Sequence, residues 1–341
     1  MTTPASTRTT TATAAPALSR RDLLAGAAGL GLAAAGGLPA RAQGFPDRDV
    51  AYIIPYSPGG MSDNISRIVA DKVGGKSGRK MLNEYKAGAG GAIGANFYMT
   101  QKPDGYAILQ STNSFFAVIP QVTKVEFDPK KDLTPLVLVG DAPMAIAANP
   151  GLGVKTLQEL IAKAKAAPGK IAYGTAGRGT VGHLCGIWLA KRAGIDLLHI
   201  PYNGAGEALQ SALSGETQLF FGPEAAEHIL AGKLTGLGVM GSQRWTSRLP
   251  EVPTTVEGGI PGWAPRSWHT VTIHSAAPAA MKENWARLLN EILAQPDVKD
   301  RLVKFGLIPG IETLEGMRKR ADDDFAEFGT LLQEAGLALK K

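Results

Sequence analysis

Two glycine-rich stretches carry the residue types and spacings best suited to chemistry. The first reads Tyr56-Ser57-Pro58-Gly59-Gly60-Met61-Ser62-Asp63. Glycines let a ligand approach the backbone closely, and a helix opening just after them presents amides with no intrahelical partner, so this stretch suits an anion. A tight strand-to-helix turn would use the same residues. The second, Gly177-Arg178-Gly179-Thr180-Val181-Gly182, has the G-x-G-x-x-G spacing of a dinucleotide fingerprint. That fingerprint needs an acid at the end of the following strand to hold a ribose hydroxyl, and here the strand ends His199-Ile200-Pro201. A dinucleotide is rejected and no cofactor is expected; an anion cradle built from the same amides survives. His183 follows in the first helical turn, placed either to donate to a ligand carboxylate or to make a structural hydrogen bond.

Other chemistry is thin. Gly75-Lys76-Ser77 resembles a phosphate-binding P-loop, but Ala70 stands where its first glycine belongs. No G-x-S-x-G nucleophile elbow occurs. The five histidines are scattered, so no metal site is expected. Cys185 is the only cysteine, which excludes an internal disulfide. The run Asp322-Asp323-Asp324 reads as a solvated helix face.

The elements that must position these loops alternate between strand and helix. Residues 49–55 form a short apolar run that reads as a buried strand, and Ile65, Ile68, Val69 and Val73 recur at helical spacing after the first loop. Residues 170–173 lead into the second loop, and Leu184, Ile187 and Trp188 form the stripe of the helix beyond it. Further strands are expected at 80–85, 106–111, 133–139, 144–148, 197–201, 217–221, 236–240 and 268–274. Thr156-Leu157-Gln158-Glu159 is a capping box, and the chain is helical from Pro278 onward. Such alternation gives an α/β fold with mostly parallel sheets, in two halves that each carry a strand, a glycine loop and a helix. Ligands of such sheets sit at the carboxyl ends of the strands, where both loops lie.

Composition sets the outer bounds. The 341 residues are 44% hydrophobic, enough for a large core. The N-terminal segment carries Arg20-Arg21, an Ala/Gly/Leu run and Pro39-Ala40-Arg41-Ala42, so residues 1–42 are expected to be a cleaved twin-arginine signal peptide and the mature protein periplasmic. Its removal would lower the formal charge from +6 to +3 and leave 299 residues. That small, scattered excess and the 6% aromatic content argue against nucleic acid as a partner.

The ordered segments Pro55–Gly60 with Asp63, Ala87–Gly91 with Gly94-Ala95, Pro103–Tyr106, Tyr173-Gly174 with Gly179-Thr180 and His183-Leu184, Pro201–Gly204, His228-Ile229, Leu249–Thr254 and Gly259–Gly262 together resemble one family. It is that of the Bug-type (TctC-like) extracytoplasmic solute receptors of tripartite tricarboxylate transporters, and the resemblance covers essentially all of residues 45–341. It implies a two-domain periplasmic-binding-protein fold, type II-like, with the ligand cleft between a first domain of 45–143 plus 266–341 and a second of 144–265. It also implies a monomer without catalysis that captures a small carboxylate, whether a di- or tricarboxylate or an aromatic acid, and docks on a membrane permease. Carried over by position, Tyr56, Gly59, Gly60, Asp63, Ser111, Thr112 and Asn113 would face Ala176, Gly177, Thr180, His183 and Gly222 across the cleft. Many members hold an Asp at position 222 that can receive a ligand ammonium; Gly222 argues against an amino-acid ligand, with Glu224, two residues on, as the alternative acid. A secreted enzyme with Asp63 or His183 as base, or a sensory receptor, would use the same scaffold.

Overall fold

The computed structural model describes residues 45–260 and 262–339; the expected signal peptide lies outside them. In chain order the elements are β1 (Val50–Ile54), α1 (Met61–Ser77), β2 (Met81–Tyr85), α2 (Ala92–Met99), β3 (Ala107–Thr112) and three short helices, α3 (Asn113–Ala117), α4 (Ile119–Val122) and α5 (Pro129–Asp132). Then come β4 (Leu133–Pro143), β5 (Ala145–Ala148), α6 (Leu157–Ala166), β6 (Ala172–Thr175), α7 (Val181–Ala193), β7 (Leu198–Pro201), α8 (Ala205–Ser214), β8 (Leu219–Phe221), α9 (Ala225–Leu230) and β9 (Thr235–Val239). The chain ends with β10 (Arg266–His274), α10 (Ala279–Leu293), α11 (Pro296–Lys304) and α12 (Leu314–Glu334).

Two five-stranded sheets result, ordered β2-β1-β3-β10-β4 and β7-β6-β8-β5-β9. Each is the centre of one lobe. Side chains alternate along β1 as strand geometry requires. Val50, Tyr52 and Ile54 pack with α1 and α10, whereas Ile53 joins Ala92, Tyr98 and Phe115 on the opposite face. In the second lobe Ile146, Tyr173 and Phe221 pack with Leu184, Cys185 and Trp188 of α7.

The sheets are mixed rather than mostly parallel. β10 runs antiparallel to β3 and β4, and β5 runs antiparallel to β8 and β9. Both are strands by which the chain enters one sheet from the other lobe, so they arrive against the direction set by the local strand–helix–strand units. α12 departs from the sequence reading too. Its Met317 packs in the first lobe's core, but Phe328 and Leu332 pack with Trp188 in the second's. Asp322 and Asp323 pair with Lys130 and Lys319 at the surface. Asp324 is no part of a solvated face: its Oδ2 accepts from Asn113 Nδ2 at 2.8 Å and Trp268 Nε1 at 2.9 Å.

Candidate functional site

Both glycine loops follow parallel strands and open long helices. After β1, Gly60 is the N-cap of α1; after β6, Thr180 caps α7, its hydroxyl accepting from His183 N at 3.4 Å and donating to Gly177 O at 2.8 Å. The first turns of α1 and α7 border one cavity of about 70 Å³ between the lobes. That is several times the space one water needs. The cavity wall includes Tyr56, Ser57, Gly60, Met61 and Ser62 from the first loop, Ala176, Thr180, Val181 and Gly182 from the second, and Thr112, Ser114, Ser267 and His269 beside them. Met144, Ala205, Phe220, Phe221, Gly222, Pro223 and Glu224 complete it.

Six of the twelve sequence-derived candidates therefore meet at this cavity: Tyr56, Gly60, Thr112, Ala176, Thr180 and Gly222. The other six do not line it, and most are engaged elsewhere. Asp63 is a loop brace, its carboxylate accepting from Gly59 N at 2.9 Å, Arg67 Nε at 2.8 Å and the Tyr85 hydroxyl at 2.6 Å. Ser111 bonds to the Thr272 hydroxyl between β3 and β10. Asn113 donates to Asp324 and to the Arg266 carbonyl at 2.9 Å. His183 lies behind the second loop, its Nδ1 accepting from Gly179 N at 3.4 Å and its ring stacked on His199 at 4.0 Å. Of the two roles open for His183, the structural one is seen. Burial, with the neighbouring His199, pushes its pKa down to about 3.

Gly59 and Gly177 serve contact between lobes. A β-carbon on Gly90 would lie 2.0 Å from Arg178 O, and one on Gly177 would lie 2.8 Å from Gly90 Cα. A β-carbon on Gly206 of α8 would lie 2.9 Å from the Gly59 carbonyl carbon. Ser57 N donates to Asn203 O at 3.0 Å across the same seam. The lobes are closed on one another through bare backbone.

The cavity wall is chemically lopsided. Among the described residues no Lys or Arg lines it, and Glu224 is the one acid that does. Glu224 Oε1 reaches across the seam to accept from Met61 N at 3.3 Å, in the first turn of α1. A β-carbon on Gly222 would lie 2.7 Å from Glu224 Oε2, so this carboxylate fills the place of a side chain at 222. The sequence reading left Glu224 as a substitute acid two residues past Gly222, and it is this residue that borders the cavity. Glu224 keeps some accessible area because it borders the cavity, yet protein surrounds it closely and the desolvation raises its pKa. Burial drives His269 down to about 3 and Tyr56 up to about 12, so both are neutral. At the wall, Thr112 Oγ1 and His269 Nδ1 meet no hydrogen-bond partner in good geometry among the described residues. Sequence reasoning missed Ser267 and His269, which reach the site because β10 pairs His269 with Thr112. Among the described residues no group of three or more His, Cys, Asp or Glu could hold a metal.

Known proteins share this architecture. BugT of Bordetella pertussis is 31% identical over 317 residues, spanning 92% of this chain and 97% of that protein. The periplasmic binding protein BugD is 28% identical with a TM-score of 0.81, covering 87% of this chain and all of that one. An R. palustris protein solved with adipate is 25% identical with a TM-score of 0.80, covering 86% and 99%. The tripartite tricarboxylate transporter family receptor pattern matches residues 65–337. With two mixed sheets, an interlobe cavity and that match over most of its length, the chain belongs to the tripartite tricarboxylate transporter receptor family, as a Bug-type solute-binding protein.

Proposed function

We propose that the protein is a periplasmic receptor that captures a small carboxylate by closing its lobes and delivers it to a tripartite tricarboxylate transporter permease, without catalysis. One observation carries the reading: the first turns of two long helices from opposite lobes converge on a cavity that no cationic side chain lines among the described residues. Helix N-termini supply partial positive charge and amide donors, which suits a carboxylate held by backbone. The adipate bound to the R. palustris relative is in keeping with this. No described helix is long and apolar enough to cross a membrane, which accords with an exported receptor.

The moving bodies we assign are residues 45–143 with 266–341 and residues 144–265, with α12 spanning both. Within the binding constellation, Tyr56, Gly60, Thr112, Ala176, Thr180 and Gly222 border the ligand; Asp63, Ser111, Asn113 and His183 brace the loops that hold it. Gly59 and Gly177 act at the seam. Thermal unfolding against mono-, di-, tri- and aromatic carboxylates, with NAD as control, tests the reading. At about 1,000 times the dissociation constant a ligand adds about 4 kcal/mol, or roughly 8 °C. A shift with carboxylates and recovery of unchanged ligand by mass is expected. A shift with NAD alone, or conversion of the bound acid, would overturn it.

A further inference from the structure

We infer that His269, with Thr112 beside it, reads a hydroxyl group on the ligand, so that the site selects a hydroxycarboxylate over the same acid without that hydroxyl. This rests on the receptor reading above and narrows it. His269 and Thr112 are a directly opposed pair across β10 and β3, so their side chains stand next to each other on one face of the sheet. Both residues are buried and both border the cavity. On the other side of β10, His269 faces Gly140, which offers no side chain. Ser267, two residues back along β10 and so on the same face, also lies at the cavity wall. His269 Nδ1 is enclosed without a hydrogen-bond partner in good geometry among the described residues, and so is Thr112 Oγ1. Buried polar atoms are nearly always paired, so two such atoms on neighbouring side chains at a cavity point to a partner that arrives with the ligand.

The group that fits is uncharged. A neutral imidazole offers one donor and one acceptor, and a threonine hydroxyl serves as either. Burial keeps His269 neutral, its pKa pushed down to about 3. A ligand hydroxyl can meet either tautomer, donating to a bare ring nitrogen and accepting from a protonated one. A carboxylate only accepts, and among the described residues no Lys or Arg at the wall would offset its charge. The ligand's carboxylate therefore belongs at the helix N-termini and its hydroxyl at β3 and β10.

The test is calorimetric titration of the purified protein with paired acids: butanoate against 2-hydroxybutanoate, 3-hydroxybutanoate and 4-hydroxybutanoate, succinate against malate, and phenylacetate against mandelate. In the series that binds, one hydroxy acid should bind at least about tenfold tighter than its parent, since a site built around a ligand hydroxyl rejects the analogue lacking it. His269→Phe keeps a ring but no hydrogen-bonding atom. It should bring that ratio to within about threefold of unity by weakening the hydroxy acid, and the parent acid's unchanged affinity shows the variant to be folded. His269→Gln, which keeps a donor and an acceptor, should retain part of the preference. Thr112→Val should lower the ratio independently. Parent and hydroxy acids binding alike to the wild type, or His269→Phe weakening both members of a pair equally, would overturn the assignment while leaving a carboxylate receptor intact. Failure of every carboxylate to bind would instead bring down the receptor reading and this inference with it.

Discussion

At the residue scale, the site separates side chains that face a ligand from those that hold the loop facing it. Thr112 and Asp63 show the difference. The Thr112 hydroxyl is buried at the cavity wall and, among the described residues, is in good hydrogen-bond geometry with none, which costs the ligand-free protein free energy. Thr112→Val should leave stability unchanged or raise it by up to about 1 kcal/mol, while weakening the best carboxylate about tenfold. Asp63 has three partners and holds Gly59 N in place. Asp63→Ala should lose about 1–3 kcal/mol of stability, since it removes a buried carboxylate that three groups hydrogen-bond to, and should weaken binding only through the loop. Urea midpoints and ligand titrations of the two variants distinguish these roles; a stability loss at Thr112 matching that at Asp63 would refute the division.

At the element scale, closure depends on how near two backbones can come. Gly206 has ordinary helical backbone geometry, so alanine there would favour α8 by up to about 1 kcal/mol. Yet its β-carbon would press on Pro58 O and the Gly59 carbonyl carbon, both 2.9 Å away in the other lobe. Gly206→Ala should therefore stabilise one lobe and block closure, lowering carboxylate affinity at least about tenfold by disfavouring the binding-competent state. Small-angle scattering should show the variant staying expanded when ligand is added; compaction equal to the wild type would refute this. The same seam explains what sequence could and could not reveal. Strand, glycine loop and helix recur at 49–73 and 170–193, and both units form as local pattern dictates. Their loops reach the cavity because carboxyl ends of parallel strands point there. The reach of Glu224 to Met61 and the place of His269 were hidden because they depend on lobe packing and on the register of β10 against β3, which no local window contains. Asp63 and His183 stayed ambiguous for the opposite reason: polar residues beside a glycine loop serve either its ligand or its conformation, and spacing alone does not separate the two.

At the scale of the whole molecule, buried histidines couple folding to pH. His183 and His199 stack in the second lobe, and His269 is buried in the first. Desolvation lowers their pKa values from the ordinary 6.5 to about 3, about 4 and about 3, with His199 and Arg178 adding repulsion at His183 and Arg178 at His199. In the unfolded chain these imidazoles take up protons below about pH 6.5, whereas in the folded protein they stay neutral until about pH 4 or lower. The unfolded state then binds more protons as pH falls. Stability from these groups is complete above pH 6.5 and is lost on acidification, at up to about 1.4 kcal/mol per pH unit for each histidine. Ordinary carboxylates titrate near pH 4, so a decline that begins near pH 6 is the signature of the histidines. Urea midpoints measured between pH 8 and pH 4.5 should be level down to about pH 6.5 and then fall. His183→Gln, which removes one titrating ring and the stacking repulsion, should make that fall shallower even if it lowers the plateau. A profile flat to pH 4.5, or an unchanged slope in the variant, would show that these rings do not carry the acid sensitivity.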